Sequence, residues 1–197
     1  MSRILNACIE ILPALPFLLA AFWLLQQYRF QNWMKTAAYF VFTLYLAAMY
    51  TLVGLPSVTY IRFDANLNFV PFLYMFSDWE NSLLNLLLFL PLGFFLPVLW
   101  EKYGSIFKTT LFGFFTSLSI EVLQLFTFRA TDVNDLITNT LGTILGFAAS
   151  RVLMTQVPAI LPQKDTNDLS LLCVLTFGVM FFLQPCLSSF VWEFAYR

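Results

Sequence analysis

The chain contains no histidine in 197 residues. That absence removes the Ser-His-Asp triad, His-ligated zinc or haem, and every imidazole acid-base step. Charge is scarce as well, with 10 Lys and Arg against 11 Asp and Glu, 11% of the chain. No basic stripe is available to neutralise phosphates, so a nucleic-acid partner is excluded. Only three cysteines occur, Cys8, Cys173 and Cys186, all in apolar runs. Cys173 and Cys186 fall on one predicted helix, about 20 Å apart at 1.5 Å rise per residue, and cannot bridge each other. Alternating ten-residue strands are also missing, which excludes a membrane β-barrel.

What is present is apolar. Hydrophobic residues make up 60% of the chain, 24 of them Phe. This lies well outside the soluble-globular range. Runs of spanning length fall at about 4–26, 37–56, 82–100, 106–127, 136–154 and 169–192, each long enough for a transmembrane helix. The expected fold is all-α, a polytopic membrane bundle of about six helices. The first run starts almost at once and is long enough to span, so it does not read as a cleavable signal peptide. Trp23, Tyr28, Trp33, Trp79, Trp100, Tyr103, Trp192 and Tyr196 near the run ends suit interfacial belts. The length fits one membrane domain over 1–197. A motif-bearing core occupies 40–150, and a Pro- and charge-rich connector leads to an accessory C-terminal helix over 155–197.

Orientation follows from the basic residues. Arg29, Lys35, Lys102, Lys108, Arg151 and Lys164 collect on one side; Arg3, Arg62, Arg129 and Arg197 on the other. The positive-inside rule puts the first group in the cytoplasm. Both termini and the loops 57–81 and 128–135 then lie outside.

Polar residues inside apolar spans are costly and usually mark function, at about 2.5–3.5 kcal/mol per charge at a bilayer centre. Here they concentrate between 81 and 146. Asn81 and Asn85 share a helix face. Gly113, Ser117, Glu121 and Gln124 step by four, four and three along another. Glu121 must pair, hydrogen-bond or stay protonated. The segment 128–135 carries Arg129, Asp132 and Asp135. Asp132 suits the N-cap of the fifth helix, with Asp135 at its third position as the acidic partner. Arg129 suits a carboxylate or phosphate held bidentately. Asp135, Asn139, Gly142 and Gly146 share one face, and Gly142-Thr143-Ile144-Leu145-Gly146 is a GxxxG packing signal.

For each residue a plain structural role competes with a functional one. Asn85 can be an interhelical packing hydrogen bond of about 0.6 kcal/mol, and both aspartates can be helix caps. On the functional reading, Glu121, Asp135 and Arg129 are candidate catalytic groups. Asn85, Gln124, Asp132 and Asn139 are then candidate binding groups. A divalent cation would find oxygen ligands here, but Arg129 would repel it, so neither a metal nor another cofactor is assigned.

Asn68-Phe69-Val70-Pro71-Phe72 and Asn85-Leu86-Leu87-Leu88-Phe89-Leu90-Pro91-Leu92-Gly93 come first in the core. Ser119-Ile120-Glu121-Val122-Leu123-Gln124 follows, then Arg129, then Asp132-Val133-Asn134-Asp135-Leu136-Ile137-Thr138-Asn139-Thr140-Leu141-Gly142. In this order the block resembles the VanZ-like family of bacterial membrane proteins over about 40–150. The resemblance implies a multi-pass plasma-membrane protein related to one that lowers sensitivity to the glycopeptide teicoplanin. The expected partners are membrane lipids together with a lipid-linked cell-wall precursor or a glycopeptide. Three functions compete: an enzyme acting on a phosphate-bearing lipid, a non-enzymatic binder, and a transporter. No inverted repeat of broken helices supports transport.

Overall fold

The structure, a computed structural model, describes residues 10–63, 67–68, 70–72, 78–127, 131–156 and 167–195. Among the described residues the fold is helical apart from a two-residue ladder and an isolated bridge between Ser57 and Tyr60. The chain forms two compact units, one from Met1–Ile61 with Asn167–Arg197, the other from Arg62–Thr166.

In the first unit, α1 (Leu15–Leu25) follows a 3₁₀ turn at Leu12–Ala14 and runs into a π-helical turn at Gln26–Phe30. Gln31 then takes a left-handed conformation, φ 51°, and ends the helix. Helix α2 (Trp33–Leu52) starts because the Asn32 side chain accepts the N–H groups of Met34 and Lys35 at 3.0 and 3.1 Å, a standard N-cap. Its end is a Schellman motif. Leu55 N donates to Tyr50 O and Gly54 N to Thr51 O, with Gly54 at φ 65°; only glycine adopts that conformation without penalty. The helix therefore stops at Leu52, short of the apolar run that continues to 56.

Helix α6 (Asn167–Gly178) continues through a second π turn, Val179–Leu183, into α7 (Gln184–Ala195). Pro185 has no N–H to offer the carbonyl four residues back, at Phe181. That carbonyl instead accepts Val58 N at 3.0 Å, so the freed acceptor tethers the loop that follows α2. Ala14, Leu18, Ala47, Tyr50, Val179 and Met180 form the core of this unit.

In the second unit, α3 (Trp79–Leu99), α4 (Ile106–Gln124) and α5 (Val133–Gln156) form a three-helix bundle. The pairing of α3 with α5 is the most extensive, and glycine explains it. A Cβ on Gly142 would lie 2.3 Å from Leu86 O, one on Gly146 2.0 Å from Leu90 O, and one on Gly93 2.0 Å from Thr143 O. Small residues at a helix interface let backbones approach this closely. Gly113 on α4 gives the same access to the Thr143 side chain, at 2.3 Å. Thr143 is thus the point where all three helices meet. The GxxxG face packs directly on another helix, as its spacing suggests.

Among the described residues, four helical segments are long and apolar enough to cross a membrane: Trp79–Leu99, Ile106–Gln124, Val133–Met154 and Asn167–Phe190. Of the other two expected segments, α1 as described has 11 residues. Helix α2 has 20 residues but carries Lys35, three tyrosines and three threonines. The interfacial belt also needs correcting. Trp23, Tyr28, Trp33 and Trp79 are exposed, but Trp100 and Tyr103 are buried. The backbone becomes extended at Trp100, φ −135° and ψ 123°, and this turn folds both rings inward, Tyr103 edge-on to Phe112 at 5.2 Å. Trp192 and Tyr196 have no described side chain.

Candidate functional site

The polar residues of the second unit meet where α4 ends and α5 begins. Asp132 is the N-cap of α5: its Oδ1 accepts Asn134 N at 2.8 Å. Asp135 sits at the third position, the acidic residue in the first turn that the sequence leads one to expect near a helix N-terminus. The N–H of Asp132 goes to Glu121 Oε2 on α4, at 2.9 Å. The reciprocal half of the capping box is therefore supplied across a helix–helix contact. Thr131 Oγ1 also donates to the Glu121 backbone carbonyl, at 3.0 Å, so residue 121 grips the start of α5 twice. Glu121 is 4% exposed. A buried carboxylate there is tolerable because the Asp132 N–H and the positive end of the α5 dipole face it.

Residues 67–68 and 70–72 join the same point. Leu67 and Asn68 pair in parallel with Thr131 and Asp132. Asn68 Nδ2 donates to Asp132 Oδ2 at 3.1 Å, and Val70 N donates to Asn68 Oδ1 at 3.2 Å. Phe72, at φ 63°, donates its N–H to Asn134 Oδ1 at 2.6 Å. Arg62 N donates to Phe126 O at 3.0 Å, with the Phe63 and Phe126 rings 5.9 Å apart. Asn68 and Asn134 are thus structural members of the site that were not among the candidates. Asn68 lay in a quoted motif, and Asn134 sits between two aspartates of the cap; each carried a signal only as a turn-forming residue.

One turn toward the N-terminus of α4, Ser117 Oγ accepts Asn139 Nδ2 at 2.9 Å, with both residues buried. The Oδ1 of Asn139 is also buried and has no hydrogen-bond partner among the described residues. Buried amide oxygens are normally satisfied, and an orphan one calls for an explanation. Gln124, one turn beyond Glu121, is 4% exposed, and its carbonyl accepts Thr127 N and Oγ1, both at 3.0 Å. Asp135 lies in the first turn of α5, its carbonyl accepting Thr138 Oγ1 at 3.2 Å. Asn85 is half-buried on α3 beside Leu86, and no hydrogen bond to it appears among the described residues. Arg129 lies outside the described residues.

The structure therefore brings Glu121 and Asp132 into one hydrogen-bonded unit. It sets Gln124 and Asn139 on the same α4–α5 seam and leaves Asn85 on the neighbouring α3 face. Among the described residues no group of three or more His, Cys, Asp or Glu is placed to hold a metal ion. As arranged, the site offers mainly hydrogen-bond acceptors: carboxylates and an amide oxygen.

Comparison with known proteins fits this order of motifs. The VanZ/LLP1 family model matches residues 40–154. The chain belongs to the VanZ/LLP1 family. Protein VanZ of Enterococcus faecium is 35% identical over 82 residues, 41% of this chain and 50% of that protein. The chain thus spans about half the length of this curated relative. No solved structure matches. The matched region contains α3 and α4 entire and α5 as far as Met154, together with Glu121, Asp132 and Asn139. Helices α6 and α7 lie beyond it.

Proposed function

We propose that this VanZ-family membrane protein binds the polar head of a lipid or lipid-linked cell-wall component in the α4–α5 seam. Through that binding it lowers sensitivity to teicoplanin-type glycopeptides. The single observation carrying this reading is Asn139 Oδ1, 3% exposed as a residue and without a hydrogen-bond partner among the described residues, one helical turn along the seam from the contact with Glu121. An acceptor held open in an apolar medium matches a ligand hydroxyl or amide N–H, the groups that sugars and peptides carry. Arg129 suits the phosphate of such a ligand. In a catalytic version Glu121 or Asp135 would move the proton. The binding version is preferred because one Glu121 oxygen already holds the Asp132 N–H.

On this reading the chain crosses the plasma membrane six times, α1 and α2 adding two spans, with both termini outside. The α4–α5 junction then faces the outer interface, where cell-wall precursors are exposed. A second reading, a purely structural polar network, is favoured by Asp132, both of whose carboxylate oxygens accept hydrogen bonds.

Purified protein in detergent with a radiolabelled lipid-linked precursor separates these readings. Retention by the wild type, lost in Asn139→Leu at unchanged thermal stability, is expected. Equal retention by both proteins would refute the seam as the binding site, and turnover of the label would establish the catalytic version. A labelled cysteine at position 131, reachable only from the cytoplasmic side, would overturn the orientation.

A further inference from the structure

The first unit carries a charged cluster that the seam reading does not use. Asp168, 4% exposed, accepts Arg29 Nε at Oδ1 and Lys35 Nζ at Oδ2, both at 2.8 Å. Lys35 Nζ also lies 5.4 Å from the Phe30 ring centre and 5.3 Å from that of Tyr39. Two cations against one carboxylate leave a surplus of one positive charge.

The surplus has a definite location. Arg29 spends only Nε on Asp168, and its two Nη groups make no hydrogen bond among the described residues. Its side chain remains 44% exposed, whereas that of Lys35 is 16% exposed. The outward edge of Arg29 is therefore an unoccupied planar fork of donors. The π turn Gln26–Phe30 and the cap at Asn32 fix its position. Beside it in the chain, Tyr28 and Trp33 are 82% and 71% exposed. Amphipathic aromatics of this kind sit at the headgroup level of a bilayer. A guanidinium fork matches a phosphate bidentately, where an ammonium gives only a point charge.

We propose that Arg29, backed by Lys35 and Asp168 and flanked by Tyr28 and Trp33, binds the phosphodiester of an anionic phospholipid in the leaflet on that face. One surplus positive charge meets one phosphodiester charge. Asp168 and Lys35 are positioning residues that hold the fork's inner edge and leave its outer edge for the lipid. The site would give the first unit a fixed lipid contact, independent of any ligand in the second.

The test is reconstitution into vesicles of equimolar dioleoylphosphatidylglycerol and dioleoylphosphatidylcholine, extraction in mild detergent, and quantification of lipid carried per chain. Wild type should retain phosphatidylglycerol several-fold over phosphatidylcholine. Arg29→Gln should return the retained lipid to the bulk ratio, and Arg29→Lys should keep only part of the enrichment. Arg151→Gln, at an exposed arginine of α5, should keep all of it. An unenriched wild type, or Arg29→Lys equal to wild type, overturns the proposal even if Arg29→Gln fails to fold. Displacement of the retained lipid by inorganic phosphate would also overturn it, by making the site one for free phosphate.

Discussion

The two units bury carboxylates by different means. In the first, Asp168 is held by opposite charges, Arg29 and Lys35, at a helix start. In the second, Glu121 and Asp132 accept backbone N–H groups at the start of α5. Ion pairing tolerates some freedom of geometry and draws on long, flexible side chains. Backbone capping demands a fixed approach of two helices, which the second unit secures with glycines against backbone carbonyls. A helical glycine of the first unit shows the contrast: a Cβ on Gly178 would meet nothing within 4 Å. The second unit is the one built to tight tolerance, and it is the one that carries the family's motifs.

The largest effect should come from breaking that tolerance. Gly146→Val should cost more than about 3 kcal/mol, the upper end of overpacking penalties, because the new side chain meets Leu90 O, Leu90 C and Phe94 N of the α3 backbone. Gly178→Ala should be neutral or stabilising by up to about 1 kcal/mol, since glycine within a helical run carries an entropic cost. Thermal unfolding in detergent compares the two directly. Equal losses would remove the distinction between the units.

Next comes the ion cluster. Asp168→Asn leaves Arg29 and Lys35 together without a counter-charge, and losing one partner of a buried pair costs about 3–5 kcal/mol. The low end is expected because Arg29 keeps access to water. A melting temperature equal to wild type would show that the cluster contributes nothing to holding α6 against α2.

A smaller loss is expected at the cap. Asp132→Ala removes the acceptor for Asn134 N and the contact to Asn68, for about 1–2 kcal/mol. Asp132→Asn, which retains an acceptor, should recover most of it. Chemical unfolding in mild detergent reads both variants, and an unrecovered loss would mean that the carboxylate charge itself is required.

Much of this was legible in the chain. The stripe Gly113, Ser117, Glu121 and Gln124 is buried as its spacing required, and Asp132 caps α5. Periodicity reports which side chains share a face, and those faces do bury. It cannot report which partner crosses to them. Asp135 takes its place in the first turn of α5, but the bond from Glu121 on another helix to the Asp132 N–H is not visible in local spacing. Asn85 shares the apolar layer but makes no hydrogen bond among the described residues, because a face says nothing of depth or rotation. The Arg29–Asp168 pair spans 139 residues, beyond anything a local pattern can encode. The carbonyl of Phe181 was released by Pro185, a residue whose effect was visible in sequence, but its acceptance of Val58 N depended on the tertiary path of the loop.

The most direct measurement is teicoplanin tolerance in cells carrying wild type or Glu121→Gln at matched membrane levels. Gln keeps an oxygen for the Asp132 N–H, so folding should change by less than about 1 kcal/mol, checked by melting of the purified variant. If the seam binds or acts on its ligand through the carboxylate, tolerance should fall to that of cells lacking the protein. Full tolerance conferred by Glu121→Gln would mean that Glu121 serves only to cap α5, and would contradict its assignment to the functional site.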